Sequence, residues 1–548
     1  MAHHSRDLVG QLNVLVSRSA RHAIIACLGI GLAVVVLLHS QIRHLDYVPD
    51  LGDPLFSTWR IAWVHHQLVS DPRHLFDANI FYPERLTLTF SDPVILPALT
   101  ASPLLIGGVH PVIAYNLLLM SGFWFSGFAV YLLVRHLTGS SRAAFVAGLT
   151  YACCAYRVDH FSHLELQMTQ WMPLALLALH RFVTTRQWPY AIAAALAVVA
   201  QLYSSMYYAV FFVVYAAVIG VGLWIVHRPP WKLLVPLAIS AAIAALLALP
   251  LERAFTAAQS VKGERPLYEI ALYSAVPSDY LRTTPLSLMW RNRLRPPQAE
   301  RSLFPGAAPV ALAAVGIAPP FAAMPMVYAA ALAVSFDGSL GLNGVSFPYL
   351  RRWLGPFRNL RSPARFGALV GLTLSILSGF GATRVLTWRR SAIYQRVAFA
   401  GLVAIVMIDA WPVLTLRPVW KEPPPIYGAI AHLPRPVLAE LPIPADETLN
   451  TPYMYFSLSH WAPMVNGYSG YIPASYKQLR SEMAGFPNDD GIDALRRRGV
   501  THVTVNCGLA FPGCDELLAT TKAARRLRLI ANATWLGQPV QLYELLPP

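Results

Sequence analysis

PYAIAAALAVVAQLYSSMYYAVFFVVYAAVIGVGLWIV, residues 189–226, runs for 38 positions without a charged side chain. About 20 apolar residues cross a bilayer core as a helix, so this stretch is too long for one crossing and too apolar for a soluble surface. A turn at Ser204 and Ser205 makes it two spans. Working outward with the same rule, spans fall at 23–40, 112–134, 143–156, 166–179, 233–250, 366–383 and 397–415, and a second hairpin covers 306–335, broken at Pro319 and Pro320. With the two from 189–226 this gives about 11 spans. The fold class is mostly α, a polytopic transmembrane helical bundle.

Composition agrees. The chain of 548 residues is 55% hydrophobic and only 13% charged, against about 25% charged in soluble domains. The net charge of +15 is no sign of nucleic-acid binding, because its placement is topological. If the first span leaves the cytoplasm, every second connector is basic. These connectors hold Arg6, Arg18, Arg21, Arg135, Arg142, Arg181, Arg186, Arg228, Lys232, Arg384, Arg389, Arg390 and Arg396, with Asp7 as their one acid; the rest of the chain holds 30 basic and 27 acidic residues. This is the positive-inside pattern. It puts the N-terminus in the cytoplasm and sends loops 41–111, 252–305 and 337–364 and the tail outward. The first span has spanning length and no small-residue cleavage site, so it reads as an anchor rather than a cleaved signal.

Within the first exterior loop, 55–69 places Phe56, Trp59 and Trp63 at helical spacing, which predicts an amphipathic helix on the membrane surface. Residues 93–109 are apolar but short and hold three prolines, which predicts a re-entrant or interfacial segment. The boundary after 1–415 separates this transmembrane domain from a small extracytoplasmic α/β domain, 416–548, with strands at 437–442 and 500–505, a helix at 493–499 and a strand pair at 527–531 and 540–543. Cys507 and Cys514 suit a small disulfide loop in an oxidising compartment, though spacing alone leaves the pairing open. Cys27, Cys153 and Cys154 read as small packing residues.

Four groups of residues can carry chemistry. Asp50 and the Gly52-Asp53-Pro54 turn place carboxylates just past the first span, where one can act as general base towards a hydroxyl. The competing reading is that Asp53 caps the helix that follows. Asp159-His160-x-x-His163-x-Glu165 concentrates ionisable groups between two apolar spans. His163 and Glu165, with Asp53, can hold a divalent metal ion; a polar turn with snorkelling histidines is the plainer alternative. Arg358-x-x-Arg361-x-x-x-Arg365 has helical spacing at the mouth of a span and presents guanidinium forks suited to phosphate, or to anionic lipid in general. Tyr453, Tyr455, His460, Trp461, Asn466 and Tyr468 offer aromatic faces and polar groups for a sugar ring, or ordinary packing. No phosphate-binding glycine loop or serine nucleophile elbow is present.

The order of several short motifs resembles the GT-C superfamily of membrane glycosyltransferases, and within it the bacterial mannosyltransferase-like or YfhO-like membrane proteins. The motifs are Gly52-Asp-Pro-Leu, Asp77-Ala-Asn-Ile-Phe-Tyr-Pro83, His163-Leu-Glu-Leu-Gln-Met-Thr-Gln-Trp-Met-Pro173, Leu303-Phe-Pro-Gly306, Pro356-Phe-Arg-Asn-Leu-Arg-Ser-Pro-Ala-Arg-Phe366 and Val465-Asn-Gly-Tyr-Ser-Gly-Tyr471. The resemblance implies a GT-C-like transmembrane domain in a bacterial inner membrane. It implies transfer of a sugar from a polyprenyl-phosphate carrier to a glycan, lipid or protein acceptor on the exterior face, with inversion. Asp53 matches the catalytic carboxylate. Where relatives show two adjacent acids, this chain has Gly52-Asp53, so Asp50, Asp53 or both serve. Arg358, Arg361 and Arg365 would bind the lipid phosphate, and His160, His163, Glu165 and Tyr468 the remaining substrate. Acids from the early chain and guanidinium groups from the late chain are expected to share a cleft. The alternative is a non-catalytic membrane protein that binds or translocates a lipid-linked glycan. The near absence of charge within the spans speaks against a transporter.

Overall fold

The structure is a computed structural model that describes residues 2–547, with side chains from Ala20 onward. Arg6, Asp7 and Arg18 of the charge pattern lie outside the described side chains. Among the described residues, six helices are long and apolar enough to cross a membrane: Ala20–Leu37, Pro111–Thr138, Met206–His227, Trp231–Lys262, Pro363–Thr387 and Ala392–Asp409. This is a multi-pass membrane protein, mostly helical. The other segments read as spans form shorter helices, among them Ser141–Ala152, Trp171–Thr185, Pro189–Ser204, Ala307–Ile317 and Ala323–Ser339. The stretch 189–226 divides at Ser205, whose backbone is extended (φ −155°, ψ 105°). The 306–335 stretch divides around Pro319 and Pro320, because proline supplies no amide to continue a helix.

The chain divides into two compact units. The first comprises Met1–His44, Leu117–Leu249 and Glu264–Thr415. Its central element is the helix Gly367–Thr387, buried along most of its length and packed against Ala307–Ile317, Ser141–Ala152 and Ala323–Ser339. A Cβ on Gly381 would collide with the Leu312 carbonyl, and one on Gly316 with the Leu377 carbonyl. The two backbones therefore meet directly, the small-residue contact that lets membrane helices approach closely. Asp409 caps the helix Ala307–Ile317: its carboxylate accepts the Ala307 amide (3.1 Å) and the Ala308 amide (3.2 Å), and also the Trp290 indole N–H (2.9 Å). Those amides have no partner within the helix and attract negative charge.

The second unit comprises Leu45–Asn116, Pro250–Gly263 and Leu416–Pro548. Its larger sheet has four strands: β1 Leu438–Leu441, β2 His502–Asn506, β3 Leu527–Trp535 and β4 Gln538–Leu545, in the order β1-β2-β4-β3. β1 and β2 are parallel, and the other pairs are antiparallel. Ala439, Leu441, Val503 and Val505 pack against Leu479, Ile492 and Leu495, from helices Ala474–Glu482 and Asp489–Arg497 in the crossover between β1 and β2. Cys507 and Cys514 form a disulfide.

One expectation is corrected. The helix predicted at 55–69 forms as Asp53–Ser70, but every residue from 54 to 64 is buried, so it is not an amphipathic helix lying on a membrane surface. It packs against helices Ile95–Ile106 and Thr451–Phe456. The Trp59 indole N–H donates to Asn79 Oδ1 (3.1 Å), the Trp63 indole N–H to the Leu75 carbonyl (3.0 Å), and Arg60 to the Asp92 carbonyl (2.7 Å). Periodicity marks which side chains are apolar. It does not say how many faces other chain segments will cover.

Glu440 on β1 is fully buried, and burial pushes its carboxyl up to about 7 against the hydrogen bonds from Thr504 and Tyr427. An acid whose native pKa is raised binds its proton more tightly when folded. Its effect on stability is therefore most favourable below about pH 4.5 and is lost as pH climbs to about 7. The swing is on the order of 3 kcal/mol. Comparing melting temperatures at pH 5 and pH 8, Glu440→Gln should flatten the alkaline loss seen in the wild type. Identical losses in both proteins would remove Glu440 as its cause.

Candidate functional site

In the second unit, Gly52 takes the cap position of the helix Asp53–Ser70, and Asp53 and Pro54 begin its first turn. The competing reading of Asp53 as the capping residue is thus replaced by Gly52. A carboxylate in the first turn still gains from the helix dipole. Asp50 Oδ1 accepts the Gly52 amide at 2.8 Å, closing a tight turn that delivers Asp53. A Cβ at Gly52 would lie 2.7 Å from Thr448 Cγ2 and 3.1 Å from Asp50 Oδ1, so glycine is required by close approach. The Tyr468 hydroxyl donates to Asp53 Oδ1 at 3.3 Å, and its ring meets Phe56 edge-on at 5.3 Å. Both Asp53 and Tyr468 are half-buried, reachable by a solute yet fixed by the turn and the ring contact. Gly52→Ala should cost about 1–3 kcal/mol of stability. Adding Thr448→Ser, which deletes the colliding methyl, should return part of that loss in a thermal melt; no return would mean the clash is elsewhere.

Tyr468 is carried by a loop anchored through Asn466. The Asn466 side chain accepts the Glu440 amide (2.8 Å) and donates to the Glu440 carbonyl (3.0 Å) and to Asn450 Oδ1 (3.1 Å). Of the aromatic set, Tyr453 and Tyr455 are buried, and Trp461 stacks on His66 at 4.3 Å. These pack, whereas Tyr468 is the member that touches an acid proposed for chemistry.

In the first unit, the turn between helices Ser141–Ala152 and Trp171–Thr185 carries Asp159, His160, His163 and Glu165. Arg157 fixes this turn. Its guanidinium donates to Gln167 Oε1 (3.1 Å), the Gln167 carbonyl (2.9 Å) and the Gly122 carbonyl (3.0 Å) and lies over Phe123 at 4.6 Å. Gln167 returns hydrogen bonds to the carbonyls of Arg157 (3.0 Å) and His160 (2.7 Å). His160 is buried, edge-on to the rings of Tyr156 (4.6 Å) and His163 (5.7 Å). Burial lowers it to about 3, so it is a neutral imidazole. Asp159 is raised to about 7 by burial, opposed by the Thr284 hydroxyl and reinforced by the charge of Glu300; it changes protonation near neutrality.

The three arginines separate. Residues 358–365 do not form one helix: Gly355–Asn359 and Pro363–Phe366 are short 3-10 turns with extended backbone at Leu360. The helical spacing therefore does not align them. Arg358 is 46% exposed and pairs with Glu264 at 3.4 Å. Arg361 lies over Tyr273 at 5.6 Å and near Glu269 at 3.9 Å. Arg365 is buried and grips Glu300, with Nε 2.7 Å from Oε2 and Nη2 2.5 Å from Oε1. Burial alone would raise the Glu300 carboxyl, but Arg365 holds it well below the usual range. Glu300 escaped the sequence reading. It is the single acid between Asp279 and Asp337, a weak signal in a loop where arginines dominate. The structure brings His160, His163, Glu165, Glu300 and Arg365 into one electrostatic group.

Among the described residues, no group of three or more His, Cys, Asp or Glu side chains is placed to hold a metal ion. Asp53, His163 and Glu165, read from the sequence as metal ligands, do not form such a group.

No family model and no curated protein sequence matches the chain. Among solved structures, it is similar to the oligosaccharyltransferase of Archaeoglobus fulgidus in the apo form, with a TM-score of 0.46 and 12% identity over 90% of this chain and 70% of that one. It is also similar to ArnT from Cupriavidus metallidurans in the apo state, with a TM-score of 0.39 and 13% identity over 99% of this chain and 100% of that one. Neither likeness is close enough to carry a functional argument.

Proposed function

We propose that the chain is a membrane glycosyltransferase. It moves a sugar from a polyprenyl-phosphate-linked donor to a hydroxyl of a glycan, lipid or protein acceptor on the extracytoplasmic face of a bacterial inner membrane. Asp53 is the base. The observation that carries this reading is the Asp50–Gly52–Asp53 turn, which leaves a half-buried carboxylate at the start of a buried helix with one oxygen hydrogen-bonded to Tyr468. As base, Asp53 accepts the proton of the acceptor hydroxyl as that oxygen attacks the anomeric carbon. The carbon–phosphate oxygen bond breaks on the opposite face, which inverts the sugar, and the lipid phosphate departs with the electron pair. Tyr468 keeps one carboxylate oxygen oriented, leaving the other for the acceptor. Positive charge beside the departing phosphate favours its release.

The test is transfer from a polyprenyl-phosphate hexose in purified membranes, wild type against Asp53→Asn. Binding of the lipid-linked sugar without transfer by the wild type from any donor would favour the non-catalytic alternative.

A further inference from the structure

The Glu300–Arg365 contact is unusual in how its two sides are held. Arg365 belongs to the packed frame: it lies in the 3-10 turn Pro363–Phe366 that leads into the helix Gly367–Thr387, is 5% exposed, and lies over the Tyr207 ring at 4.9 Å. Ser362 is fully buried and donates its hydroxyl to Glu300 Oε2 at 3.1 Å. Glu300 belongs to a loop in which residues 291–293, 295–297 and 299 are exposed, and its backbone is in the left-handed region at φ 63°. A non-glycine residue there is strained. So the donors are rigid and buried, while the acceptor is delivered by an exposed, strained segment. Next to them His160 carries a buried Nε2 with no hydrogen-bond partner and stands close enough to feel the charges of both Glu300 and Arg365.

A guanidinium fork receives carboxylate and phosphate oxygens in the same geometry. A buried guanidinium without any anion is costly, so an anion site built on Arg365 needs an occupant when no ligand is present. We propose that Arg365 and Ser362, with His160 beside them, form a binding site for a phosphate group, and that Glu300 is its internal placeholder, displaced when a phosphate-bearing ligand enters. Exchange of one anion for another leaves the buried charge compensated and releases the strained backbone at Glu300. The identity of the ligand as a lipid phosphate rests on the glycosyltransferase reading; the anion site does not.

The test uses the full-length protein in detergent, titrated with inorganic phosphate and, separately, with dodecyl phosphate, followed by thermal shift and by proteolysis of the 291–301 loop. If Glu300 fills the site most of the time, it weakens apparent phosphate affinity by about tenfold or more. Glu300→Ala should therefore melt lower than wild type, bind phosphate at least about tenfold tighter, and regain its melting temperature on binding. Glu300→Ala combined with Arg365→Ala should lose that response. In the wild type, ligand should speed tryptic cleavage after Arg291 or Arg293, a readout that survives if the variants fold poorly. Response to both ligands, or to dodecyl phosphate alone, fits a lipid headgroup site; response to inorganic phosphate alone fits a site for free phosphate. The proposal is overturned if neither ligand affects loop cleavage in the wild type, or if the response of Glu300→Ala equals that of wild type or survives loss of Arg365. Phosphate binding requires no transfer, so an inactive Asp53→Asn protein that still binds phosphate would separate the two proposals.

Discussion

Asp53→Asn lowers sugar transfer by about 10²–10⁴-fold, the usual contribution of a positioned general base, with little change in melting temperature. Asparagine keeps an oxygen for the Tyr468 hydroxyl, so the local hydrogen bond at 3.3 Å is retained while the proton acceptor is lost. Asp50→Asn is the informative companion. Its Oδ1 accepts the Gly52 amide, and an amide oxygen can do the same, so transfer should fall by less than about tenfold. That pair of results would assign chemistry to Asp53 and turn geometry to Asp50. Tyr468→Phe removes one hydrogen bond to a charged acceptor, worth about 1.5–3 kcal/mol, and should cost about 10- to 100-fold. If Asp53→Asn transfers at the wild-type rate, the general-base role fails.

Arg157→Leu destabilises the first unit by more than about 3 kcal/mol. Arg157 is 2% exposed, and its guanidinium serves Gln167 and Gly122 through several bonds at once. Leucine fills the volume but takes the charged donor from Gln167 Oε1 and from the Gln167 and Gly122 carbonyls in an enclosed region, and each hydrogen bond lost to a charged donor costs about 1.5–3 kcal/mol. Arg157→Lys should rescue little, because an ammonium cannot span the same acceptors. Thermal melts in detergent measure the effect, and protease sensitivity between 153 and 170 reports whether the turn that carries His160 and His163 has loosened. A loss below about 1 kcal/mol would mean the network is replaceable.

The membrane character, the helical breaks at Ser205 and around Pro319 and Pro320, and the strands of the sheet were legible because they follow from local chemistry. An uncharged run must be buried or span a bilayer, extended serines and prolines interrupt helices, and β-branched runs between turns pair as strands. The Asp53 turn was legible for the same reason, since Gly, Asp and Pro act within four residues. The fate of the helix Asp53–Ser70 was not. Its Trp59, Arg60 and Trp63 are satisfied by Asn79, Asp92 and Leu75, contacts that no periodicity encodes. Nor was the parting of Arg358, Arg361 and Arg365, which share a spacing but find Glu264, Tyr273 and Glu300 as different partners.

By itself, then, the order of residues determined what must leave water and where the backbone must turn, because hydropathy and backbone freedom are properties of short segments. Only the tertiary structure decided that Gly52 needs its missing Cβ against Thr448, that Tyr468 meets Asp53 from more than 400 positions away, and that Arg365 is held by Glu300. Those outcomes depend on which distant side chains arrive within a few ångströms, and hydrogen bonds and ion pairs fall off over just that distance.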